Sequence, residues 1–181
     1  MIRRAAFVRL IRDVRASAAA EMALVMPLLL VITMGSVELG NYFLDEHVLV
    51  KGVRDGARFA ARQAFVNYNG CTGTAANVPQ AVIDNTKLIV RKGSLTSADS
   101  DLLPNWDDAG TTFTVQTTCT ATAGTSTMGG IYAGNIVGTD NAAPVVIVTA
   151  SVPYKNVLST FGFTGKGYSL NATQQASVTG L

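Results

Sequence analysis

Histidine is almost absent from this 181-residue chain: His47 is the only one. It falls on the polar stripe of a helical pattern, so Ser-His-Asp and Cys-His centres in their usual form are excluded. The H-E-x-x-H zinc pair and the G-x-x-x-x-G-K-S/T phosphate loop do not occur. Charge is sparse too. Fourteen basic and 12 acidic residues leave a formal net charge of +2, which gives no reason to expect a nucleic-acid partner. The one acidic cluster, SADSDLLPNWDD with Asp99, Asp101, Asp107 and Asp108, lacks the ordered ligands and terminal glutamate of an EF-hand loop. It reads as a solvated turn. No metal, cofactor or enzymatic activity is expected.

What charge there is lies unevenly. Arg3, Arg4, Arg9, Arg12 and Arg15, against Asp13 alone, make the first fifteen residues a basic leader. From Met22 to Val37 no charged residue occurs, and Ala18, Ala19 and Ala20 extend the apolar character backwards. Counting Ser17 to Leu39, with Glu21 near one interface, reaches the ~20 residues that a helix needs to cross a bilayer. Arginines before the run place the N-terminus in the cytoplasm and the remainder outside it. A secretory signal peptide would need a small-residue cleavage site after the run, where MGSVELG offers a poor one.

The helical pattern continues beyond the run. His47, Lys51, Arg54, Asp55, Arg58 and Arg62 recur at three- and four-residue spacing, opposite Leu49, Val53, Gly56, Ala57, Ala60 and Ala64. One helix is expected from about Ser17 to Val66, roughly 75 Å long at 1.5 Å per residue. Glu38 marks where its apolar half ends, and Pro27 can kink it. Gly52, Gly56, Ala60 and Ala64 form a small-xxx-small row. The row suits close approach of another backbone, or a sheet packed too tightly for larger side chains, and the sheet is the expectation for Gly56 to Ala64.

Residues 67–181 are poor in charge and rich in Thr, Ser, Gly, Ala and Asn. Cys71 and Cys119 fall in the part expected outside the cytoplasm, where a disulfide is favoured over a metal or catalytic pair, with free thiols the alternative. Three segments alternate as strands do: 111–122, the more apolar 145–152, which suits a central position, and 167–178. Phe113, Val115, Cys119 and Ala121 would share one face, as would Tyr168, Leu170, Ala172 and Ala176. Residues 79–92 open on a helix-compatible proline and set Val82, Ile83, Thr86, Ile89 and Val90 on one face of a shorter helix. The Gly-rich segment 123–144 is either an exposed functional loop or a flexible connection. The fold class expected is α+β. A long helix, transmembrane then amphipathic, packs on the dry face of an antiparallel sheet of about three to four strands.

The N-terminal motifs resemble a known family. R-A-S-A-A-A-E-M, a long apolar run containing a proline, then V-E-L-G and G-V-R-D-G-A-R-F-A-A at 52–61, look like the TadE-like pseudopilins of the tight adherence (Tad/Flp) branch of type IV pili. The resemblance covers about residues 12–62. Ala16 stands where the family usually has glycine, and Met22 where it usually has an aromatic.

That resemblance implies a minor pilin, a structural subunit that helps initiate or cap a pilus for surface adhesion and biofilm formation. A prepilin peptidase would cut between Ala16 and Ser17, and Glu21, fifth residue of the mature chain, would meet the new amine as helices bundle. The organisation expected is a leader at 1–16, a transmembrane and assembly half at 17–40, an amphipathic half at 41–66 and a periplasmic or extracellular domain at 67–181. Its partners would be the peptidase, the major Flp-type pilin, other minor pilins, the inner-membrane assembly platform and the lipid bilayer. From the residues alone, Glu21 also fits an interfacial acid favoured by a helix N-terminus. An uncleaved, membrane-anchored periplasmic binding domain is the alternative for the whole chain.

Overall fold

The computed structural model describes residues 14–68, 77–121, 129–132, 142–161 and 167–180. Helix α1 spans Val14–Ala61, 48 residues and roughly 72 Å at 1.5 Å per residue. It runs continuously through Pro27, whose missing N–H removes one intrahelical bond, from position 27 to Ala23. Thr33 and Ser36, the hydroxyls within the apolar run, donate back to Leu29, Leu30 and Ile32 carbonyls, so neither presents an unpaired donor to an apolar medium.

The end of α1 differs from expectation. It stops at Ala61 rather than near Val66, and a 3-10 turn follows at Phe65–Tyr68. No proline or glycine marks that stop. The terminating contacts come from afar: the Tyr68 hydroxyl donates to the Ala60 carbonyl, and the Thr179 N–H donates to Ala61 at 2.8 Å. Of the carbonyls that the helix end leaves open, those of Phe59 and Ala60 accept from the N–H groups of Arg62 and Gln63, and those of Ala60 and Ala61 also accept from Tyr68 and Thr179. Burial pushes the Tyr68 phenol up to about 12, so it remains a donor at any ordinary pH.

Helix α2, Gln80–Lys92, follows Pro79 and ends at Gly93, whose φ of 74° lets its N–H close on Ile89. Val82, Thr86 and Val90 form its buried face, and the Thr86 hydroxyl is satisfied by the Val82 carbonyl. Three antiparallel strands, β1 (Thr112–Ala121), β2 (Ala142–Pro153) and β3 (Ser169–Ser177), make one sheet in the order β1-β2-β3. The most apolar strand is central, as its composition implies. Register pairs Val115 with Val148 and Ala150 with Ala172 on the inner face. Pro144, Val146, Val148, Ala150 and Val152 are all buried there.

The inner face packs on Leu49, Val53, Ala57 and Ala60 of α1, and these residues with Val90, Leu103, Trp106, Leu170 and Val178 form one core. The opposite face is open and threonine-rich, with Thr149 and Thr173 bonded across β2 and β3 at 3.2 Å. One inner-face assignment changes, and one residue left unassigned joins that face. Tyr168 lies before the first residue of β3 and is exposed. Thr117 is buried in line with Val115, its polarity met by a hydrogen-bonding or electrostatic partner.

Candidate functional site

The two halves of α1 have opposite surroundings. Every residue from 17 to 37 is exposed, while Leu49, Gly52, Val53, Gly56, Ala57, Ala60 and Ala61 are buried. Met22, Leu24, Leu28, Leu29, Val31, Ile32 and Val37 therefore show bare apolar surface all round, which a water-soluble protein does not maintain. The same half is long and apolar enough to cross a membrane, and none of it is buried in the domain. It is an anchor projecting from the domain rather than a core helix.

The expected processing pair, Ala16 and Ser17, lies near the start of α1, and Glu21 is exposed one turn further on. Pro27 lies within the bare half. Gly52 and Gly56 face α2 rather than the sheet. A Cβ on Gly52 would come within 2.6 Å of the Val90 carbonyl oxygen, and one on Gly56 within 2.4 Å of Val90 Cγ2. The Gly52 and Gly56 part of the small-residue row is thus a groove for the second helix of the same chain. Ala64 lies past the end of α1 and does not continue it. Cys119 is half-buried on β1 and is not a free thiol, whereas Cys71 lies outside the described residues. So do 122–128 and 133–141, most of the Gly-rich segment.

Where the bare half meets the domain, Glu38 acts as a clamp. Its carboxylate accepts from the backbone N–H groups of Val157 at 3.2 Å and Leu158 at 3.0 Å, the opening residues of a 3-10 turn at Val157–Phe161. The Tyr154 hydroxyl donates to the Glu38 carbonyl, and the Tyr154 ring meets Tyr42 edge-on at 5.2 Å. Burial, helped by the nearby Glu38, pushes the Tyr154 phenol well above the ordinary tyrosine value, so it too stays a donor. Sequence reasoning missed this role. Glu38 reads as the first charge after an apolar run, and its partners stand about 120 residues away.

The acidic cluster is also settled by geometry. Arg91 forks onto Asp101 through two 2.5 Å contacts and onto Asp107 through contacts of 2.8 and 2.7 Å, while Lys92 approaches Asp101 at 3.2 Å. Contact with Arg91 holds both carboxyls below the usual range. Ser94 donates to Asp99. Two of the four carboxylates are thus neutralised by a bidentate cation, a structural use of charge. No metal-ligand cluster occurs among the described residues.

Taken together, an α+β domain is carried on one half of a long helix whose other half is a bare apolar rod, clamped at the junction by a carboxylate. This arrangement fits a domain carried on a single-pass membrane anchor. Residues 16–58 match the family of TadE-like proteins, the pilus-associated family that the N-terminal motifs resemble. The matched stretch holds the exposed half of α1, Glu38 and most of the turns of α1 that pack the domain. No curated protein and no solved structure matches the chain.

Proposed function

We propose that the protein is a minor pilin of a Tad-type pilus, held in the bacterial inner membrane with its N-terminus cytoplasmic and its α+β domain in the periplasm until assembly. The observation that carries this reading is the bare apolar half of α1, continuous with a helix that packs a folded domain. Such a rod needs either lipid or other helices around it, and a pilin has both in turn. In this reading a prepilin peptidase cuts between Ala16 and Ser17. The new amine then offers Glu21 an opposite charge as the rod enters a bundle with the major Flp-type pilin and other minor pilins on the assembly platform. A carboxylate in an apolar span costs ~2.5–3.5 kcal/mol at the centre, less toward the edge, so its retention points to a partner.

A disulfide between Cys71 and Cys119 belongs to the same proposal, closing a loop of about fifty residues with ~4 kcal/mol of chain-entropy stabilisation. The domain would initiate or cap the filament in surface adhesion and biofilm formation. Edman sequencing of the protein from its native membrane is expected to begin at Ser17. An intact Met1, or a start beyond Gly35, would favour an uncleaved anchor carrying a binding domain. Glu21→Leu should insert normally yet lower pilus number counted by electron microscopy, and unchanged piliation would remove Glu21 from the mechanism.

A further inference from the structure

The clamp at Glu38 also sets a height. From Ser17 to Glu38 the helix rises roughly 32 Å, close to the ~30 Å hydrocarbon thickness of a bilayer. Beyond Glu38 the exposed side of α1 stays apolar through Phe43 and Leu44, about 9 Å further, before Asp45 and Glu46. The Val157–Phe161 turn is bonded to Glu38 itself, and a long helical side chain points back toward the helix N-terminus. The turn therefore lies at or below the level where the helix surface is still apolar.

Its composition suits that level. Val157 is 43% exposed, Lys155 is exposed nearby, and the Tyr154 ring meets Tyr42 of α1 in a T-shaped contact. Tyrosine bodies with polar tips, together with a lysine able to reach outward, populate the membrane–water boundary. Backbone donors at such depth need partners inside the protein, and Glu38 supplies them to Val157 and Leu158. The same two bonds offset the cost of holding Glu38, the only charge between residues 22 and 44, near lipid.

We infer that the Val157–Phe161 turn, with Tyr154 and Lys155, is a second membrane contact. It rests on the headgroup and acyl boundary of the bilayer and fixes how deep the anchor sits. This rests on the membrane-anchored reading above, and its surface is continuous with the anchor's own.

The test uses the full chain in phosphatidylcholine–phosphatidylglycerol vesicles whose acyl chains are brominated at shallow or at deep positions. The buried Trp106, the single native tryptophan, sets the background. Val157→Trp should show emission shifted to shorter wavelength and lose intensity to the shallow bromolipid beyond that background. Thr114→Trp, on the open sheet face, should not. A Val157→Trp signal no more quenched than Thr114→Trp, while Val31→Trp is quenched by the deep bromolipid, overturns the contact and leaves the anchor standing. Loss of quenching at Val31→Trp removes the anchor and this inference together.

Discussion

At Gly52 and Gly56 one missing methyl group decides how two helices meet. Alanine gains ~0.5–1 kcal/mol over glycine in a helix, whereas forcing extra atoms into a packed contact costs ~1–3 kcal/mol. The second effect should win at both positions, because the nearest atoms stand at 2.6 and 2.4 Å. The two sites differ in what must give way. At Gly56 the obstacle is the Val90 side chain, while at Gly52 it is the Val90 carbonyl. Adding Val90→Ala should therefore recover part of the stability lost in Gly56→Ala and none of that lost in Gly52→Ala, beyond its own cavity cost. Denaturant midpoints of the full chain in detergent measure this double cycle. Equal recovery at both sites would mean that α2 shifts bodily instead of holding its position.

Among the elements, the segment between α2 and β1 is held by charge as much as by burial. Leu103 and Trp106 are buried, Asn105 donates to the Pro153 carbonyl, and Arg91 draws in Asp101 and Asp107. Asp101 is largely shielded and Asp107 mostly exposed, so Asp101→Asn should lower the thermal midpoint clearly and Asp107→Asn hardly at all. Both carboxyls titrate below their ordinary value when folded. Their contribution is thus complete above the unfolded value of ~3.9 and fades as pH falls through the lower folded values. Melting curves should accordingly show a wild-type advantage over Asp101→Asn that holds from neutral pH to about pH 5 and shrinks below about pH 4. An advantage independent of pH would assign Asp101 a packing role instead. The strands were legible because a period of two survives in TFTVQTTCTA whatever lies opposite it. The buried stripe of α1 was legible for the same reason at period 3.6. What the pattern could not carry was the partner: small residues at four-residue spacing suit a helix or a sheet equally, and here Gly52 and Gly56 receive α2. The end of α1 and the roles of Arg91 and Glu38 depend on groups brought together only by the fold, so local sequence holds no sign of them.

For the whole molecule, the division within α1 makes a claim about autonomy. Residues 17–37 are exposed throughout, so they contribute no folding energy to the sheet. Glu38, Tyr42 and Leu49 do contribute, through the clamp, the aromatic pair and the core. A chain of residues 38–181 should then fold, with a cooperative melt followed by near-ultraviolet circular dichroism close to that of the full chain in the same mild detergent. A chain of residues 50–181 loses Leu49 from the core and leaves the Val157 and Leu158 N–H groups without their acceptor. Those losses are worth ~2–5 kcal/mol and ~1–3 kcal/mol in turn, a large part of the 5–15 kcal/mol typical of a domain. The shorter fragment should melt far lower or not fold at all. If instead 38–181 proves as unstable as 50–181, the bare half of α1 supports the domain in a way its exposure does not show. The anchor could not then pass from lipid to a helical bundle without altering the domain it carries.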